Sequence, residues 1–282
     1  MKRTTKDKGS VLSLAQEPTN KVLTETDAEI MERLRARFNI LDDMTRAVKK
    51  GDVRAMIVSG PPGVGKSFGV EKVLSKHDVF ANVAQNEKLK KYEVVKGAMS
   101  ALGLYAKLFA YSDAKNILVF DDCDSVLLDD LSLNILKAAL DSNKKRMIHW
   151  NTDSRLLRQE GIPGSFEFKG GCIFITNIKF DNVRSKKLRD HLEALESRCH
   201  YLDLTIDTER EKILRIQQVL TDHQMLDDYG FGDAGNAELV EFIDANKKKL
   251  RELSLRMVLK LADLKKAFPN TWKATAEVTC MR

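Results

Sequence analysis

The chain has 282 residues, 43% of them apolar and 31% charged, with a net charge of +6. That composition supports a packed core and excludes a low-complexity or fibrous chain. No apolar run approaches the length of a membrane span, and the basic start, Met1 to Lys8, is not followed by an apolar export core. Cys123, Cys172, Cys199 and Cys280 form no C-x-x-C pair, and the five histidines stand at no ligand spacing, so the cysteines are expected to be reduced, buried thiols.

Residues 1–26 are polar and aperiodic and predict a flexible tail. Apolar residues at helical spacing from Ile30 to Val48 predict one or two helices, with a break near Asn39 as the open alternative. The strand-like run Ala55 to Ser59 then enters Gly60-Pro-Pro-Gly-Val-Gly-Lys-Ser67, ahead of a helix-compatible stretch from Phe68. This is the order that G-x-x-x-x-G-K-[ST] requires. Such a loop turns successive N–H groups inward, which needs the backbone freedom of Gly60, Gly63 and Gly65. Pro61, Pro62 and Val64 complete the loop, and Phe68 opens the helix whose N-terminus favours phosphate. Lys66 is expected to reach the β- and γ-phosphates and Ser67 to ligate Mg²⁺. The motif predicts ATP-type binding.

Strands are predicted at Tyr92–Val95, Ile117–Phe120, Cys172–Thr176 and His200–Leu204, with helices at Met99–Ala110 and Leu131–Leu140. Arg146–Trp150 and Ser165–Phe168 read as a β-hairpin inserted near 146–169, with Trp150 packed beneath it. From Thr208 the chain turns helical: Glu209–Leu220, Asn236–Lys248 and Leu253–Phe268, closed by Pro269. The expected fold is therefore α/β, a three-layer five-stranded parallel sheet followed by a small helical lid. Its domains would be 27–205 and 206–268, with a C-terminal tail from 269 to 282.

The run Ile117-Leu-Val-Phe-Asp-Asp122 delivers two carboxylates to a strand end. Asp121 is placed to hold Mg²⁺ and Asp122 to orient or deprotonate an attacking water. Asp124, before Ser125, reads as a helix start.

In their order and spacing these motifs resemble the AAA+ ATPases over roughly residues 30–268, and small phage-encoded or helicase/clamp-loader-like members in size. The resemblance implies a sensor-1 role for Asn177 in Ile173-Phe-Ile-Thr-Asn177. It implies an arginine finger for Arg198 in Ala194-Leu-Glu-Ser-Arg198, with Arg184 or Arg189 as alternatives, and a sensor-2 role for Arg256 in Leu253-Ser-Leu-Arg256. A finger acts on the neighbouring subunit, so a homo-oligomer is implied. The family commonly carries Asp-Glu where this chain has Asp121-Asp122, which implies slower or partner-dependent hydrolysis. Cytoplasmic location, in the host if phage-encoded, and no membrane partner are expected.

The target is less legible. Segment 142–200 carries 12 basic and 7 acidic residues, which suits DNA or a DNA-replication complex, through Lys144, Lys145, Arg146, Arg155 and Arg158. A subunit interface is equally compatible with that charge. The alternatives are a protein-remodelling ATPase gripping through Val94-Val-Lys-Gly-Ala-Met99, and a weakly hydrolysing nucleotide switch.

Overall fold

In the computed structural model, residues 25–77, 83, 90–222 and 225–282 are described. The predicted tail therefore lies almost wholly outside the described residues. The first element, α1 (Asp27–Lys50), is one unbroken helix of 24 residues, so the break considered near Asn39 does not occur. Thr26 and Glu29 cap it reciprocally, and Gly51, at φ 86°, ends it in the left-handed region. Its buried stripe, Ile30, Leu34, Phe38, Leu41 and Val48, explains why the helix continues past Asn39: packing, not local propensity, sustains it.

The sheet comprises β1 (Ala55–Ser59), β2 (Tyr92–Lys96), β3 (Ile117–Asp121), β6 (Gly171–Thr176) and β7 (His200–Asp203) in the order β2-β3-β6-β1-β7. All four pairings are parallel. Parallel strands need crossovers, and helices supply them on both faces. One face carries α1 and α2 (Lys66–Leu74) over Met56, Val58, Ile117, Val119, Ile173 and Ile175. The other carries α3 (Ala101–Ala110), α5 (Asp130–Ala139) and α7 (Lys186–Glu196) over Ala55, Ile57, Leu118, Phe120, Cys172 and Phe174. Alternate residues of β1, β3 and β6 thus enter different cores, while β2 and β7 form the less buried edges. That is why the three inner strands read as continuous apolar runs, and the architecture is three-layer α/β.

A short helix, α4 (Ser125–Leu128), follows β3. The expected hairpin is a two-stranded antiparallel ribbon of β4 (Met147–His149) and β5 (Ser165–Glu167). The connection between its strands, read from sequence as a polar loop, contains α6 (Arg155–Gln159), capped by Ser154 and anchored by buried Leu157. Trp150 packs against Tyr105, ring centroids 5.5 Å apart.

The chain then forms α8 (Glu209–Asp222), α9 (Gly232–Ala245), α10 (Leu255–Ala267) and α11 (Trp272–Cys280). Helix α8 ties two cores together: Leu214 joins the sheet core, whereas Ile216, Val219 and Leu220 join a third, all-helical core. The C-terminal tail expected from 269 to 282 is a correction. Residues 272–280 are helical, and Trp272, Ala276 and Cys280 are buried at a spacing that makes one helix face. Trp272 packs against Phe242 with centroids 4.9 Å apart, and Leu250 bridges Met281. Trp272→Ala should therefore destabilise the helical unit by about 3–5 kcal/mol, the usual cost of emptying a buried aromatic site. Thermal unfolding checks this; an unchanged midpoint would show that α11 is not part of the core.

Among the described residues no helix is long and apolar enough to cross a membrane. All four cysteines are free, and Cys123, Cys172 and Cys280 are buried. Burial pushes the Cys172 thiol up to about 12, leaving it unreactive.

Candidate functional site

Strands β1, β6 and β3 end side by side, and their C-terminal residues turn into one cleft of about 550 Å³. Between β1 and α2 the loop makes a tight turn with Gly60, Gly63 and Gly65 at φ 155°, 71° and 100°. Two of these positions also lack room for a side chain. A Cβ at Gly60 would stand 2.9 Å from the Leu204 carbonyl oxygen, and one at Gly63 would stand 2.6 Å from the Ser254 Cβ. Pro62, Gly63, Gly65, Lys66, Ser67 and Phe68 line the cleft. Gly60 and Pro61 contribute carbonyls instead, and the Val64 side chain enters the core under α1.

The Lys66 ammonium donates to Gly60 O at 2.6 Å, Pro61 O at 2.9 Å and Asn177 Oδ1 at 2.8 Å. All three acceptors are neutral. Burial consequently holds the Lys66 ammonium down to about 8, although Asp122 and Asp121 pull in the opposite direction. A polyanion beside Lys66 would raise that value again, so binding takes up a proton between the two. Nucleotide affinity measured without Mg²⁺ should be full below pH 8 and fall above it, by up to about tenfold per pH unit. A pH-independent affinity from pH 7 to 10 would show that Lys66 does not face the ligand.

The Ser67 hydroxyl donates to Asp121 Oδ1 at 2.8 Å. Asp121 is only 5% exposed. Its other oxygen lies 3.3 Å from the Lys96 ammonium, which also reaches Glu71 at 3.0 Å. Strand register explains this contact, because Lys96 and Asp121 are paired partners in β2 and β3. Lys96 entered the sequence reading only within Val94-Val-Lys-Gly-Ala-Met99, just past the second predicted strand; strand adjacency was the signal that could have placed it here.

Asp122 adopts φ 50°, a left-handed conformation that Asp tolerates better than most residues. The turn is held by its N–H donating to Ile175 O at 3.0 Å. It aims the carboxylate at Asn177, whose Nδ2 donates at 2.9 Å, and at Arg256, 3.7 Å away on α10. Asn177 thus bridges Lys66 and Asp122. Asp124 stands at the start of α4, as expected, but its side chain makes no cap hydrogen bond and instead accepts from Thr176 Oγ1 at 2.8 Å.

Arg256 reaches the cleft from the first turn of α10, which Ser254 caps. Val219, Met225, Leu255 and Leu259 add an apolar wall near Phe68, an assembly from distant helices that no local motif reveals. Arg198 does not line this cleft. It follows α7, half-buried, with one guanidinium nitrogen donating to Ala194 O and its Nε unpartnered. Arg184 is exposed, and Arg189 donates to Val183 O. Of the basic residues expected to meet DNA, Arg146 is a correction. It is 8% exposed and donates to the carbonyls of Ala139 and Gly170, above the Phe168 ring. Lys144, Lys145, Arg155 and Arg158 are exposed, Arg158 paired with Asp153.

Among the described residues no group of three or more His, Cys, Asp or Glu could hold a metal ion by itself. A cation here would have Ser67 and Asp121 and would need oxygens from the ligand.

Fold and cleft together define a three-layer α/β protein with a glycine-rich loop joining a central parallel strand to its helix. The chain is 35% identical over 254 residues to the "Uncharacterized 36.7 kDa protein in nrdC-mobD intergenic region" of Enterobacteria phage T4. That alignment spans 89% of this chain and 76% of the phage T4 protein, and the chain belongs to the same family. No family model matches it.

Proposed function

We propose that the protein binds and hydrolyses ATP as an AAA+-type ATPase. The observation that carries this reading is the convergence of Lys66, Ser67, Asp121, Asp122, Asn177 and Arg256 on one cleft from four separate chain segments. In this reading Lys66 neutralises the transferring phosphate. Ser67 and Asp121 would hold Mg²⁺, which would neutralise phosphate charge there when bound. Their side chains fit that role, being a hydroxyl and a buried carboxylate already 2.8 Å apart. Asp122 orients the attacking water, and its contact with Asn177 couples the water position to Lys66. Arg256 brings a lid cation to the same phosphate. The apolar wall of Phe68, Val219, Met225, Leu255 and Leu259 takes the base.

Arg198 lies outside the chain's own cleft, which suits a finger acting in a homo-oligomer. The target in this reading is DNA or a DNA-replication complex, met through exposed Lys144, Lys145 and Arg155 on and beside the ribbon. A protein-remodelling role is the second reading, favoured by exposed Met147 and Leu156 on the same ribbon. Steady-state ATP hydrolysis with and without single- and double-stranded DNA separates them. Stimulation that fades with salt supports DNA, and turnover indifferent to DNA supports a protein target.

A further inference from the structure

Behind the glycine loop lies a cation that the proposed chemistry does not use. Arg215 of α8 is 5% exposed and forms no ion pair among the described residues. Its guanidinium stacks on the Phe38 ring, 3.4 Å from the centroid. Nη1 donates to Gln218 Oε1 at 2.7 Å, and Gln218 is itself fixed by donating to Met31 O at 3.0 Å. The acids that act on Arg215 at longer range have other partners: Asp222 pairs with Arg35 and Asp42 with Arg46. Burial accordingly holds the guanidinium down to about 10, far below its ordinary range. A charge so desolvated and uncompensated is costly in the free protein.

Its position gives the charge a use. Nε donates to the Val64 carbonyl at 3.4 Å, and Nη2 lies 3.6 Å from where a Cβ on Gly65 would be. In parallel, the Leu255 N–H of α10 donates to the Gly63 carbonyl at 2.8 Å. A trans peptide points its N–H opposite to its C=O, and among the described residues no peptide bond is cis. Holding the Gly63 and Val64 carbonyls on the outer side therefore turns the Val64 and Gly65 N–H groups the other way. Neither N–H donates to another group among the described residues.

We infer that Arg215 is a further cation of the nucleotide site, beyond Lys66 and Arg256, acting from behind the loop: it orients the Val64–Gly65 peptide toward the phosphates and carries a buried positive charge that a bound polyphosphate compensates. This rests on the nucleotide reading above. Arg215 touches no substrate and is a positioning residue. Because it belongs to the helix shared by the sheet core and the helical core, it also makes the seating of those helices part of phosphate binding.

The test is titration with fluorescent ATP, with and without Mg²⁺, of the full chain and of Arg215→Met and Arg215→Lys, beside thermal unfolding of each nucleotide-free protein. Arg215→Met should bind about tenfold more weakly, the scale of one charge–charge interaction in a partly buried site, while its nucleotide-free unfolding midpoint stays near that of the parent. Arg215→Lys, which keeps the charge but loses the planar stack on Phe38, should recover part of the affinity lost in Arg215→Met. If the methionine variant does not fold, Arg215→Gln, which keeps a donor without the charge, takes its place. Unchanged affinity in the neutral variant overturns the inference alone. Equal losses in the neutral and lysine variants, accompanied by a lowered midpoint, also overturn it, in favour of packing against Phe38. A parent chain that binds no nucleotide would instead overturn the functional reading and this inference together.

Discussion

Lys66→Ala should abolish ATP turnover, with a loss of at least about a hundredfold, because in the proposed reading it deletes the cation that meets the transferring phosphate. The structure makes the effect separable from unfolding. Lys66 spends its three donors on Gly60 O, Pro61 O and Asn177 Oδ1, all of which are neutral, so its loss leaves no charge unpaired there. Removing a charge that burial already disfavours carries its own offsetting gain. Melting of the nucleotide-free variant should therefore stay close to that of the parent while nucleotide-induced stabilisation disappears. A variant that still gains stability from ATP would place the phosphates elsewhere.

Asp122→Asn should separate binding from chemistry. Asparagine keeps an oxygen that can accept from Asn177 Nδ2, so the cleft should hold its shape and ATP should still bind. What is lost is the carboxylate that orients water and the 3.7 Å pairing with Arg256. Hydrolysis should fall by about 10²–10⁴-fold, the usual worth of a positioned base, and ATP should persist in the site. Single-turnover assays with a filter-binding readout measure both quantities. Normal hydrolysis in the variant would assign water activation to another group, with Asp124 excluded as the first choice because it is committed to Thr176.

The parts of this molecule that were legible in its sequence are those governed by local chemistry. Three glycines with a lysine and a serine announced a phosphate-type turn, and apolar runs of four to six residues announced strands buried on both faces. The expected five parallel strands are present. Residues governed by distant packing were not legible in the same way. Arg146 sat in a basic stretch and looked solvated, yet two carbonyls and the Phe168 face receive it inside the protein. Trp272, Ala276 and Cys280 recur at helical spacing after Pro269, but the proline masked the restart, and only the partner surface of α9 and α10 decides that the segment packs. Lys96 meets Asp121 because two strands pair in register, and Arg215 meets the loop because a helix from the far end of the chain lies behind it. Neither partnership has a local signature.

The most direct test of the central claim is calorimetric titration of the purified chain with ATP and Mg²⁺. The account predicts saturable binding at one site per chain, abolished in Lys66→Ala. Absence of binding by the folded parent, or equal binding by parent and variant, would contradict it.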